Sequence, residues 1–168
     1  MAVCEGNCSK RASRARGRDA NLKLMRPVLM AIAAALLMSC SSSDSPESYL
    51  NKAAAEPGAV RTASGLVYRE LTPGTGASPK ATDTVKVNYR GKLTDGTEFD
   101  SSYKHGQPVT FPLNQVIKCW TEGVQMMKVG GKSRLVCPSS IGYPNGMPAA
   151  GIAPGAVLDF EVELLGIS

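Results

Sequence analysis

Histidine is almost missing from this chain of 168 residues: there is one, His105. A site built on several histidine ligands is therefore excluded. Any Ser-His-Asp arrangement would depend on a single residue in a polar loop, between Lys104 and Gly106. No Gly-x-Ser-x-Gly elbow occurs, and no Gly-x-Gly-x-x-Gly string. Gly131-Lys132-Ser133 resembles the tail of a phosphate loop, but Met126 stands where that loop needs its first glycine. Gly130-Gly131 therefore reads as a helix stop. Cysteine is sparse as well. Only Cys119 and Cys137 lie in the part that reads as folded, at a spacing that matches neither Cys-x-x-Cys nor a common zinc pattern. Two readings stay open for them, a disulfide or a pair of small buried thiols. With these groups lacking, hydrolytic, phosphoryl-transfer and metal chemistry are poorly supplied, and no cofactor is expected.

Positive charge is also lacking once the front of the chain is set aside. Residues 1–40 hold seven of the 19 basic residues and two of the 14 acidic ones, which leaves 12 of each. The basic balance belongs to the leader, and nothing remains to argue for a nucleic-acid partner. The apolar run Val28–Met38 follows Lys23 and Arg26. It is too short to span a bilayer as a helix and reads as the core of a secretory signal. Leu37-Met38-Ser39-Cys40 resembles the bacterial lipobox, in which the cysteine becomes the lipid-bearing first residue; the other reading is an ordinary cleaved signal. The polar stretch Ser41–Ser45 suits a solvated tether. Serine rather than aspartate after Cys40 points, by analogy with lipoprotein sorting, to the outer membrane. The expected location is the periplasmic side of a bacterial cell envelope. Residues 1–24, arginine-rich with Cys4 and Cys8, read either as a nucleic-acid-binding leader or as an over-long gene start. The second is preferred, because a signal belongs near the true N-terminus.

The expected organisation is a leader over residues 1–40, a tether with a short helix over 41–64 and one domain over 65–168. From Gly65 the pattern is that of strands: Leu66–Leu71, Thr84–Leu93, Thr97–Phe99, the short extended segment Val109–Phe111, Lys132–Cys137 and Ala156–Leu165. In Thr84–Leu93, Val85, Val87 and Tyr89 share one face, as in a half-buried strand. Asp95-Gly96 is a strong hairpin signal. Ile117, Trp120, Val124 and Met127 recur at helical spacing, so about Cys119–Lys128 forms an amphipathic helix. Pro138–Pro154 is a long loop, of the kind that usually carries function. On the last strand, Asp159, Glu161 and Glu163 alternate with Leu158, Phe160, Val162 and Leu164, which marks a solvated face rather than a catalytic pair. The sum is an α+β domain: an antiparallel sheet of about five strands wrapped around one short amphipathic helix.

Three strings place aromatic and aliphatic side chains where the chain changes structure: Tyr89 in Val85–Gly91, Phe99-Asp100-Ser101-Ser102, and Val116-Ile117-Lys118-Cys119-Trp120. They point to an apolar pocket with a few fixed polar groups. With Glu122-Gly123-Val124, Pro138 and Tyr143, and Leu158–Leu164, they resemble the FKBP-type peptidyl-prolyl cis-trans isomerases over about Gly65–Ile167. The flanking Thr62–Leu66 and Phe111–Gln115 resemble that family's bacterial Mip-like branch. Only a short segment, about Glu47–Glu56, could match that branch's dimerising helix, so a monomer is expected.

The resemblance implies a pocket of Tyr89, Phe99, Asp100, Phe111, Val116, Ile117, Trp120, Tyr143, Ile152 and Phe160. Trp120 would be the floor under a proline ring, with Tyr89, Phe99 and Phe160 as walls. The Ile117 N–H and the Tyr143 hydroxyl would hold ligand carbonyls, and Asp100 would lie near the twisting amide. Val116, Phe111 and Phe160 each have plain core packing as an equal alternative. The implied ligands are proline-containing polypeptides and macrolide inhibitors such as rapamycin or tacrolimus. The implied activity is X–Pro isomerisation in exported proteins. Its rival is a module that captures proline segments without turnover. Three positions depart from the family pattern: Val109 for an aromatic, Lys118-Cys119 before the tryptophan, and Pro144 after the pocket tyrosine. The departure at Cys119 places it at the start of the helix, with Cys137 at the end of the strand beneath.

Overall fold

A computed structural model of the chain describes residues 45–168, and the leader, the signal segment and Cys40 lie outside them. The described part is α1 (Pro46–Ala54), β1 (Ala59–Arg61), β2 (Val67–Thr72), β3 (Thr84–Leu93), β4 (Glu98–Ser101), β5 (Val109–Pro112), α2 (Lys118–Gln125), β6 (Lys132–Cys137) and β7 (Leu158–Ile167). The strands form one antiparallel sheet in the order β1-β2-β6-β7-β3-β4, with β5 also paired to β3. The class is the expected one. The sheet has seven strands rather than about five, because β1 adds an edge and because β4 and β5 pair with opposite ends of β3. Between them runs a single 3-10 turn, Ser102–His105.

The hairpin forms where the sequence signals it. Leu93 N–H donates to the Thr97 carbonyl at 2.8 Å, and Gly96 takes φ +86°, a conformation that favours glycine. β7 is the central strand, paired with β3 from Leu158 to Ile167 and with β6 from Leu158 to Glu163. Period-two alternation gives its inward residues Leu158, Phe160, Val162 and Leu164 to the core, all 4% exposed or less.

α2 lies across the inner face. Its buried stripe is Cys119, Trp120, Gly123 and Val124, and Met127 continues it just past the helix end. Gly123 sets the approach: a Cβ there would come within 2.7 Å of the Leu135 side chain on β6. The Thr121 hydroxyl donates to the Leu113 carbonyl at 2.7 Å and ties the helix to the segment before it. The helix ends at Gln125, three residues before the sequence expectation, and Gly130 at φ +85° turns the chain back.

On the outer face α1 packs Leu50 and Ala53 against Val67, Val136 and Val157, a second small cluster. Val67 and Val136 pair across β2 and β6 on this side, while their neighbours Tyr68 and Leu135 face the main core. Arg134 clasps the same region. It is bidentate to Asp159, 2.6 Å from Glu56 and 3.2 Å from the Tyr49 hydroxyl. The expected domain start at residue 65 therefore falls inside the packed unit, since α1 and β1 already belong to it. The acids of β7 face outward in pairs: Asp159 to Arg134, Glu161 to Lys132, and Glu163 accepting from Asn88.

Candidate active site

Between α2 and the concave sheet lies a cavity of about 470 Å³. Nine of the ten expected residues line it, and each arrives from a different local cause. Tyr89 is on the inward face of β3 and Phe160 on that of β7. Phe99 and Asp100 are brought in by β4, Phe111 by β5. Val116 and Ile117 close the turn into α2, where the Ile117 carbonyl accepts from Trp120 N–H at 2.9 Å. Trp120 stands at the bottom, 4% exposed.

The rings are set edge to face. Trp120 meets Tyr89 at 5.2 Å and 85°, Phe160 at 5.5 Å and 86°, and Phe111 at 5.8 Å and 88°. Phe99 meets Phe160 at 5.5 Å and 85°. Such perpendicular pairs are favoured by the ring quadrupoles and hold one another's planes. Gly91 makes room for two of them. A Cβ there would lie 2.6 Å from Phe99 and 2.8 Å from Phe160.

One carboxylate faces this apolar surface. Asp100 Oδ2 accepts from the Tyr89 hydroxyl at 2.6 Å, and its Oδ1 accepts from Ser101 N–H at 2.8 Å. Burial and the Asp100 carboxylate raise the Tyr89 pKa, and burial with the same charge raises that of Tyr143. Both hydroxyls are therefore neutral donors at physiological pH. The turn after Asp100 is pinned to β3, because Ser102 Oγ accepts from Tyr89 N–H at 3.0 Å and Ser101 Oγ caps Tyr103 N–H.

Tyr143 comes from the long loop. The departure at Pro144 forms an ordinary turn: Gly146 N–H donates to the Tyr143 carbonyl at 3.0 Å, with Pro144 in the position proline favours. Val109 packs on the core and does not line the cavity, so its departure from an aromatic leaves the wall intact. Lys118 is exposed at the first position of α2.

Ile152 is the one expected pocket residue that is not on the wall. It pairs with Met147 in a two-bond bridge across the loop and points into the core, 2% exposed. Gln115, exposed at the rim, also lines the cavity; sequence reasoning passed it over although it directly precedes Val116. Gly91 was legible only as a glycine inside a strand pattern, a sign of close approach.

Cys119 and Cys137 are joined as a disulfide, their Cα atoms 5.9 Å apart. The bond links α2, one residue before Trp120, to the end of β6, where the loop carrying Tyr143 begins.

Fold and cavity together define a small α+β domain whose aromatic-lined cavity carries a single carboxylate. The chain belongs to the FKBP-type peptidyl-prolyl cis-trans isomerase family, whose model matches residues 76–165. It is 57% identical over 122 residues to the FKBP-type peptidyl-prolyl cis-trans isomerase FkpA of Aeromonas hydrophila, covering 72% of this chain and 45% of that one. It is 43% identical over 122 residues to the macrophage infectivity potentiator of Trypanosoma cruzi, with coverage of 71% and 61%. The crystal structure of FkpA from Escherichia coli superposes with a TM-score of 0.70 at 46% identity, covering 73% of this chain and 57% of that one. A peptidyl-prolyl cis-trans isomerase from Pseudomonas syringae superposes at 0.68 and 41% identity, with coverage of 73% and 90%. The chain spans about half the length of the FkpA relatives it matches.

Proposed function

We propose that the chain accelerates cis–trans rotation about X–Pro bonds, binding the prolyl segment in the aromatic cavity. The observation that carries this reading is Trp120, enclosed by Tyr89, Phe111 and Phe160 under a cavity with one fixed carboxylate. Its indole Nε1 is buried with no acceptor among the described residues. A purely structural aromatic such as phenylalanine would avoid that cost.

Rotation is slow because resonance stiffens the amide, with a barrier of roughly 18–20 kcal/mol. No bond is made or broken. The planar amide is charge-separated and the twisted one less so, so a dry apolar cavity disfavours the planar form more than the twisted one. This is preferential binding of the transition state. In this reading the proline ring rests on Trp120 between Tyr89, Phe99 and Phe160. Val116 and Phe111 close the side. The Ile117 N–H and Tyr143 hydroxyl hold flanking carbonyls. Asp100, oriented by Tyr89, sets the field beside the amide.

Rapamycin or tacrolimus would compete for the same floor. The signal segment and Cys40 support action on exported proteins from a lipid anchor on the periplasmic side, at the outer membrane. Titration of the full chain with rapamycin while X–Pro turnover is followed tests the pocket, with loss of activity at one equivalent expected. Turnover that ignores rapamycin would place catalysis elsewhere. Radiolabelled palmitate incorporation, lost in Cys40→Ala, tests the anchor.

A further inference from the structure

The cavity holds one charged residue at neutral pH, Asp100, since the Tyr89 and Tyr143 hydroxyls are neutral there. Next to it, outside the cavity lining, stands the chain's single histidine. His105 Nε2 is 3.6 Å from Asp100 Oδ1. At that distance there is no hydrogen bond, so a neutral imidazole does little for the carboxylate. A protonated one places a full opposite charge beside it. The pairing is built in by the backbone. Ser101 and Ser102 fasten the start of the short turn, and Gly106, at φ +72°, ends it directly after His105.

We propose that His105 is a specificity-determining residue that makes discrimination against acidic neighbours of the target proline depend on pH. The proposal rests on the isomerase reading of the cavity. With the proline ring on an apolar floor, the residues before and after it leave through the mouth. There the side chains of Asp100 and His105 are 46% and 60% exposed and within reach of solvent and of those residues. With the imidazole neutral the mouth carries the Asp100 charge alone and repels a glutamate beside the proline. With the imidazole protonated it carries a neutralised pair. Histidine is the side chain suited to such a change of charge.

Other charged and titratable groups around the turn do not substitute for it. Lys104, on the same turn, is committed to Glu98 at 3.3 Å, and Glu98 of β4 also takes Arg90 of β3 at 2.9 Å. Arg90 in turn stacks on Tyr103. Tyr89 of β3 and Tyr143 of the long loop are the remaining titratable groups near the carboxylate, and neither is charged in this range.

The test compares kcat/KM for peptides that differ only in the residue before proline, glutamate against alanine, at pH 8.0 and 5.5. It uses the full chain, His105→Ala and His105→Arg. A surface pair of this kind predicts that the Glu/Ala ratio rises about two- to fivefold on acidification of the unaltered protein. His105→Ala should hold the ratio at its alkaline value, and His105→Arg at its acidic value, at both pH values. A ratio that does not move with pH overturns the proposal, as does one that still moves in His105→Ala. Absence of turnover with either peptide would sink the isomerase reading instead. The same ratio read from peptide affinity through the fluorescence of the one tryptophan, Trp120, would then decide the role of His105.

Discussion

The Tyr89–Asp100 contact, 2.6 Å between hydroxyl and carboxylate, is the hydrogen bond on which the polar side of the cavity turns. A bond to a charged group in a half-buried setting contributes about 1.5–3 kcal/mol. Tyr89→Phe removes it and frees the carboxylate to swing. We expect a drop in kcat/KM of about tenfold with the fold intact, read from the X–Pro assay beside a near-ultraviolet spectrum. Gly91 is the second position where one atom matters. Gly91→Ala sets a methyl against Phe99 and Phe160 and should cost about 1–3 kcal/mol, as overpacking does. A urea melt measures that, and a loss of rapamycin affinity should accompany it because both rings are cavity walls. An unchanged melt and unchanged affinity would show that the rings have room to move.

Each element contributes to the site through its own periodicity, and this is why much of it was legible. Alternation along β3 and β7 places Tyr89 and Phe160 inward, and the helical stripe places Trp120. Asp95-Gly96 turns the chain so that Phe99 and Asp100 come alongside. Ile152 was assigned to the wall through a family resemblance, and its true direction depends on a Met147 bridge inside a loop that has no period to read. β1 and the docking of α1 were missed for a related reason. Three residues at a sheet edge and one small apolar stripe carry too little pattern to distinguish them from a tether. The link between α2 and β6 brings its own prediction. Closing a loop of this length stabilises by about 3 kcal/mol on the chain-entropy model. Cys119→Ala with Cys137→Ala should lower the unfolding free energy read from a urea melt by that amount, and in the unaltered protein the peptides carrying Cys119 and Cys137 should take an alkylating label only after reduction. Labelling of those two peptides without reductant would mean that the Cys119 and Cys137 thiols are free.

For the whole molecule, the outer-face clasp of Arg134, on β6, joins Tyr49 of α1, Glu56 just past that helix, and Asp159 of β7. The guanidinium beside Glu56 holds its carboxyl below the usual value, with Arg69 adding to the effect. A depressed carboxyl contributes stability that is fully present above its unfolded pKa, about 4.5, and is lost as the pH falls through the folded value. Arg134→Ala should therefore destabilise clearly at pH 7 and much less at pH 3, as read from urea midpoints at the two pH values. An equal loss at both would assign the effect to packing. The clasp fastens α1 to the outer face while the cavity opens on the inner one, so the same variant should keep its X–Pro activity wherever it is folded. The central claim is that the aromatic cavity itself catalyses the rotation. The direct measurement is kcat/KM on a short X–Pro peptide for the full chain, Asp100→Asn and Trp120→Leu, each shown to be folded. We predict turnover in the unaltered protein and at least a tenfold loss in both variants. Undiminished turnover in either folded variant, or none in the unaltered chain, would contradict the account.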